Sequence, residues 1–118
     1  MATLALLMDG VVVKHFSLDS AETRIGRKPD NDIRIEDLAV SGHHAVIERV
    51  PNRYLEGVND YFLRDAGSTN GTLVNGEKIQ RVQIRPEDCI SIGWNTFRLI
   101  DGDRSSMDQT AYILPGNE

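Results

Sequence analysis

Every apolar run in this 118-residue chain is short and ends at a turn. Two of the turns are Asp9-Gly10 and Asn75-Gly76, dipeptides suited to the positive φ angles of a type I′ hairpin. A chain punctuated in this way folds by pairing neighbouring strands, and no stretch of it supports a helix. The spacing predicts strands at Leu4 to Met8, Val11 to Phe16, Glu22 to Ile25, Ile33 to Ile35, His44 to Val50, Tyr61 to Arg64, Thr72 to Val74, Glu77 to Gln80, Cys89 to Ile92 and Thr96 to Ile100. These runs are rich in β-branched or aromatic residues and bounded by Gly, Pro, Asn or Asp. Apolar residues alternate at Ile90 and Ile92, and at Phe97 and Leu99, as half-buried strands require. An all-β, antiparallel β-sandwich of about ten to eleven short strands is the expected fold.

With 40% hydrophobic and 26% charged residues the chain has an ordinary globular composition, which excludes a disordered or fibrous protein. Its length suits one domain that buries roughly two-thirds of its unfolded surface, enough for a core without a disulfide or structural metal. The lone Cys89 forms no intramolecular disulfide and fits a reducing, cytoplasmic setting. No apolar run approaches the roughly 18 residues of a membrane span. The start has no basic region, and Asp9-Gly10 interrupts its apolar segment, so no secretory signal is expected. A net charge of -5 argues against nucleic acid or an anionic membrane as partner.

That charge is uneven. Residues 101–118 carry a net -3 and open on Asp-Gly-Asp-Arg-Ser-Ser, polar and breaker-rich, so we divide the chain into a domain at 1–100 and an acidic linker and tail at 101–118. Between Arg24 and Arg34 the balance reverses to +2, a place for an anion to settle.

In a sandwich the functional side chains converge in loops at the strand ends. Arg27 closes a strand, and its planar fork suits a phosphate, although an Arg in that place is usually a solvated charge. Ser41-Gly42-His43-His44 offers a hydroxyl, a close-approach amide and two imidazoles. The run from Gly67 to Thr72 offers small donors around two glycines, able to form a concavity of backbone N–H groups. Ser41, His44 and Asp65 invite a hydrolase reading, but the chain has no Gly-x-Ser-x-Gly elbow, and no enzyme is expected. His15, His43 and His44 suggest a metal, yet adjacent histidines on a strand point to opposite faces and no Cys/His spacing supports a site. Neither metal nor cofactor is expected. Trp94 and Cys89 read as core packing.

Taken together, Ile25-Gly26-Arg27, Asn31-Asp32-Ile33, Val40-Ser41 followed by His44-Ala45, Gly67-Ser68-Thr69-Asn70-Gly71-Thr72, and Val74-Asn75-Gly76 resemble the forkhead-associated (FHA) domain. The likeness covers residues 3 to 100. It implies an FHA-type β-sandwich with its binding loops at one end, and an adaptor that recognises phosphothreonine in partner proteins of a Ser/Thr kinase pathway. By position, Arg27 and Ser41 would hold the phosphate, with the Gly42 amide and the Thr69 hydroxyl as further donors and Asn70 on the peptide main chain. Gly26, His44 and Asn75 would support the loops without touching the ligand. The family's pocket for the threonine methyl group implies a preference over phosphoserine.

One position departs from the pattern. The residue after the serine is often Arg or Lys in the family and here is Gly42, leaving Arg24, Lys28 or a protonated His43 to replace its charge. The alternative is a degenerate module making phosphate-independent protein contacts. A monomer is the default state, with self-association possible through the tail: Thr110 follows acidic residues and has an aliphatic residue three positions on, which resembles an FHA ligand and makes it a candidate phosphorylation site. The competing reading is that Tyr112, Ile113 and Leu114 cover one side of the sandwich.

Overall fold

A computed structural model describes residues 2–101. Eleven strands form two sheets: β1 (Ala2–Met8), β2 (Val11–Ser17), β3 (Glu22–Gly26), β4 (Ile33–Arg34), β5 (Ala45–Pro51), β6 (Asn59–Asp65), β7 (Thr72–Val74), β8 (Glu77–Lys78), β9 (Arg81–Ile84), β10 (Ile90–Ile92) and β11 (Asn95–Asp101). One sheet has the order β2-β1-β11-β10-β7-β8, the other β4-β3-β5-β6-β9. The period-2 pattern turns Leu4, Val74, Ile90, Ile92, Phe97 and Leu99 of the first inward. They meet Ile25, Ala45, Ile47, Tyr61, Leu63 and Ile84 of the second in one apolar core. Among the described residues no helix is long and apolar enough to cross a membrane.

Both Gly-containing turns are as expected. Asp9 and Gly10 have φ of 53° and 79°, and Asn75 and Gly76 have 52° and 84°, the paired positive values of a type I′ turn.

Three features differ from the sequence reading. The run Glu77 to Gln80 is not one strand: β8 ends at Lys78, the half-buried Ile79 packs against the core, and the chain crosses to the other sheet, where β9 pairs with β6. The polar faces of Arg81 and Gln83 hid that strand. The pair β3 and β4 is parallel, Ile25 opposite Ile33, in otherwise antiparallel sheets. To run parallel the chain doubles back within 27–32, a turn closed by the Asn31 N–H donating to the Lys28 carbonyl (3.2 Å). The last strand also includes Asp101, which pairs with Ala2 and is buried, one residue past the boundary drawn at 100.

This topology gathers one set of loops. β3 ends, β5 begins, β6 ends and β7 begins at the same edge of the sandwich, so residues 27–32, 35–44 and 66–71 meet there. Phe97 is fully buried between the sheets. We expect Phe97→Ala to cost about 3–5 kcal/mol in urea unfolding, the range for deleting a core aromatic ring; a loss below about 1 kcal/mol would mean the two sheets do not close on that ring.

Candidate functional site

His44 sits at the centre of these loops and is 0% exposed. Its Nδ1 accepts the Ser41 N–H at 3.1 Å, so the ring proton is on Nε2, which donates to the Gly71 carbonyl at 2.9 Å. Its backbone N–H donates to Ile25 O, and its carbonyl accepts the Ala66 N–H, both at 2.9 Å. One residue thereby fastens β3, the loop before β5 and the loop after β6. With both ring nitrogens engaged, none faces the Ser41 hydroxyl, and Asp65 bonds elsewhere, so the Ser-His-Asp pattern is not assembled as a triad.

A second tie joins the 27–32 turn to the serine loop. The Arg27 N–H donates to Ser41 O (3.0 Å) and the Lys28 N–H to Gly42 O (3.2 Å). Asn31 is buried and its Nδ2 donates to the carbonyls of both Lys28 (2.8 Å) and Gly42 (2.7 Å). Gly26 faces this contact: a Cβ there would lie 2.2 Å from Gly42 O and 2.8 Å from Asn31 Nδ2. Only a residue without a side chain allows the two backbones to approach.

The candidate binding groups are built on these ties. Arg27 Nε donates to Val40 O at 3.1 Å, which anchors the guanidinium, and among the described residues Arg27 has no carboxylate partner. The Ser41 Oγ accepts the Thr69 N–H at 3.0 Å, leaving its own proton to donate. This bond brings Thr69 beside Ser41. Asn70 Nδ2 donates to Ala39 O at 2.9 Å, and its side-chain oxygen takes no partner among the described residues. Arg27, Ser41, Gly42, Thr69 and Asn70 therefore lie on mutually bonded loops, with Gly26 and His44 beneath them. Asn75 stands apart, at the far end of β7, where it accepts the Cys89 N–H (2.9 Å) and donates to Asp88 (3.0 Å). Cys89 is half-buried. Thr110 lies outside the described residues.

Two carboxylates organise the loops more than their sequence positions suggest. Asp65 accepts the N–H groups of Gly67 and Ser68 (both 3.0 Å) and the hydroxyls of Ser68 (2.5 Å) and Thr72 (2.7 Å). Burial pushes its carboxyl up, but the Ser68 and Thr72 hydroxyls and the two N–H groups outweigh that and hold it below its ordinary 3.8. Asp37 accepts the N–H groups of Trp94 (3.0 Å) and Ala39 (2.9 Å) and the Asn95 amide (3.0 Å), and the Trp94 bond above all lowers its carboxyl. It ties the β10–β11 turn to the serine loop. Trp94 itself is 89% exposed, not packed on the core as expected, because its backbone rather than its ring makes the contact. The short polar spacing of Asp37 before Ala39 is a turn pattern that sequence reading passed over.

An FHA domain family model matches residues 23–93, and this chain belongs to the FHA domain family. The glycogen accumulation regulator GarA of Mycobacterium tuberculosis is 40% identical over 85 residues, covering 72% of this chain and 47% of GarA. The chain thus spans about half the length of the curated relatives it matches. A solved FHA domain studied for phosphothreonine-dependent interactions superposes with a TM-score of 0.70 at 31% identity, over 85% of this chain and 95% of its own. Mycobacterium tuberculosis EmbR, solved with a low-affinity phosphopeptide, gives 0.69 at 34% identity over 83% of this chain and 24% of EmbR.

Asn31→Asp should test the inter-loop clamp, since it sets a carboxylate oxygen against the Lys28 and Gly42 carbonyls. A loss of about 1–3 kcal/mol in stability is expected by chemical denaturation, and retention of wild-type stability would show that the clamp contributes nothing. Acid should loosen the 66–72 loop. The folded Asp65 carboxyl lies below its ordinary 3.8, so its contribution is present above that pH and fades as pH falls through the lowered value. Asp65→Asn should therefore flatten the fall in urea midpoint between about pH 5 and pH 2.5; an unaltered acid slope would assign that slope to other carboxylates.

Proposed function

We propose that this domain binds phosphothreonine segments of partner proteins, as an adaptor in cytoplasmic Ser/Thr kinase signalling. The observation that carries this reading is Arg27. Its guanidinium is anchored through Nε, is unpaired with any carboxylate among the described residues, and stands on the loop bonded to Ser41, whose hydroxyl in turn accepts the Thr69 N–H. A phosphorylated side chain brings about -1.5 to -2 charge and three acceptor oxygens, which the Arg27 fork, the Ser41 and Thr69 hydroxyls and the Gly42 amide are suited to meet. Asn70, with its amide nitrogen fixed to Ala39, keeps an acceptor for a peptide N–H. The relatives support the same reading, since EmbR was solved with a phosphopeptide. A groove of about 580 Å³ beside the 66–71 loop is a poorer anion site, because Arg64 and Arg81 in its wall already bond Glu48 at 3.2 and 2.7 Å and its third cation, Lys78, shares the wall with the Asp65 carboxylate.

The absent side chain at Gly42 favours a second reading, a phosphate-independent contact through the same loops. An oriented library of phosphothreonine peptides, passed over the immobilised domain beside its dephosphorylated twin, separates the two. Retention of phosphorylated peptides only, with phosphoserine analogues held more weakly, is expected; equal retention of both libraries would establish the phosphate-independent reading. Arg27→Ala should weaken the selected peptide by about 2–5 kcal/mol with folding intact, the cost of truncating one partner of a desolvated charge pair. Ser41→Ala should cost less, since one neutral donor is lost. Wild-type affinity in a folded Arg27→Ala protein would remove Arg27 from the site.

A further inference from the structure

The phosphate site described above is short of charge, since one guanidinium faces a group carrying about two negative charges. Three basic groups lie near it in the chain, Arg24, Lys28 and His43, and the structure separates them. His43 Nε2 lies 3.0 Å from Asp30 Oδ2, so any proton it gains is neutralised by that carboxylate. Arg24 faces a different depression, which it lines together with Asp30, Asn31 and His43. Lys28 is placed otherwise. Its stem lies across Gly42, with Cε, Cγ and Cδ 3.0, 3.1 and 3.2 Å from where a Gly42 Cβ would stand. The Lys28 N–H bonds Gly42 O, and Asn31 clamps the carbonyls of both residues, so the stem rests on a fixed floor. Among the described residues Lys28 forms no ion pair.

We infer that Lys28 is the second phosphate-binding cation of this site, its stem filling the space left by the missing side chain at Gly42 and its ammonium standing in for the charge that side chain would carry. The inference rests on the phosphopeptide reading above. Glycine at 42 is then part of the device rather than a defect: a side chain there would meet the Lys28 stem and push it aside.

The test titrates a phosphothreonine peptide selected from the library into the wild-type domain, Lys28→Met, Gly42→Arg and the double variant. Methionine keeps the apolar stem and removes only the charge. Lys28→Met should bind about tenfold more weakly, as expected for losing a charge-assisted contact, and the gap should narrow from about 50 mM to about 500 mM salt as exposed charges are screened. In the Lys28→Met background, Gly42→Arg should restore affinity, because its stem pushes the uncharged methionine aside and returns a cation to the site. In the wild-type background Gly42→Arg should gain little, because it displaces the lysine it duplicates. If Lys28→Met binds as tightly as wild type, or loses affinity equally for the dephosphorylated peptide, the assignment to Lys28 is overturned. If the wild-type domain itself ignores phosphorylation, it is the functional reading that fails, and the two failures are told apart in the same titration.

Discussion

The binding end depends on one buried imidazole. Three loops carrying polar tips would not hold their positions by their own backbone preferences, because loops have few apolar contacts and exposed hydrogen bonds. His44 supplies fixed bonds to Ser41 and Gly71 from its ring and to Ile25 and Ala66 from its backbone. Because the ring is fully buried, each of those bonds is made in a low-dielectric setting where an unmet partner is costly. Ser has a single hydroxyl, and Asn carries its donor and acceptor on one carbon of a shorter side chain, so neither spans the gap that the two ring nitrogens of the imidazole bridge. The histidine acts here as a spacer of defined length and polarity, with both ring nitrogens engaged in hydrogen bonds.

Close backbone approach is the second constraint. Gly26 faces the Gly42 carbonyl and Asn31 bridges the carbonyls of Lys28 and Gly42, so the Arg27 turn and the serine loop form one rigid unit. Rigidity of this kind favours binding, since a site already ordered spends less conformational entropy when the ligand arrives. The same unit fixes the start of Arg27 while its Nε bond to Val40 fixes the end, so the guanidinium is held along its length. Asp65 does the equivalent for the neighbouring loop, gathering four donors on one carboxylate so that the chain from Gly67 to Thr72 turns tightly under Thr69 and Asn70.

Much of this was readable from residue types. The hairpin dipeptides, the alternation in β10 and β11 and the order of the loop motifs each report a local preference that the tertiary structure keeps. What escaped were features set by partners distant in sequence. β9 has polar residues on its outward face and reads as loop until β6 is there to pair with it. Trp94 is apolar and was expected inside, yet Asp37, far away in the chain, takes its backbone and leaves the ring in solvent. Asn31 belongs to a motif that the sequence displays and Asp65 reads there only as a triad acid, but their work as clamps depends on carbonyls and hydroxyls that only the fold brings near. The parallel β3–β4 pair was similarly hidden, because a strand of two residues has no periodicity to detect.

A chain with a net of -5 could take the proposed anionic ligand only through local charge. At physiological ionic strength the screening length is about 8 Å, so the distant carboxylates contribute little at the binding loops and the local set decides. Within Arg24 to Arg34 the acids are already engaged: Asp30 holds His43 and Asp32 accepts the Arg24 N–H at 2.8 Å. Arg34 is in turn paired with Glu36 at 3.1 Å. Asp32 takes only the backbone of Arg24, whose side chain lines a separate depression with Asp30, Asn31 and His43, so Arg27 and Lys28 are the positive charges left next to Ser41 and Gly42. The overall negative field opposes long-range attraction of an acidic partner, which lowers steering and puts discrimination on contact. On the reading proposed above, telling a phosphorylated side chain from the many carboxylates around it is served by that division, since a carboxylate lacks both the second charge and the third oxygen that Arg27, Lys28 and the Ser41 and Thr69 donors would meet.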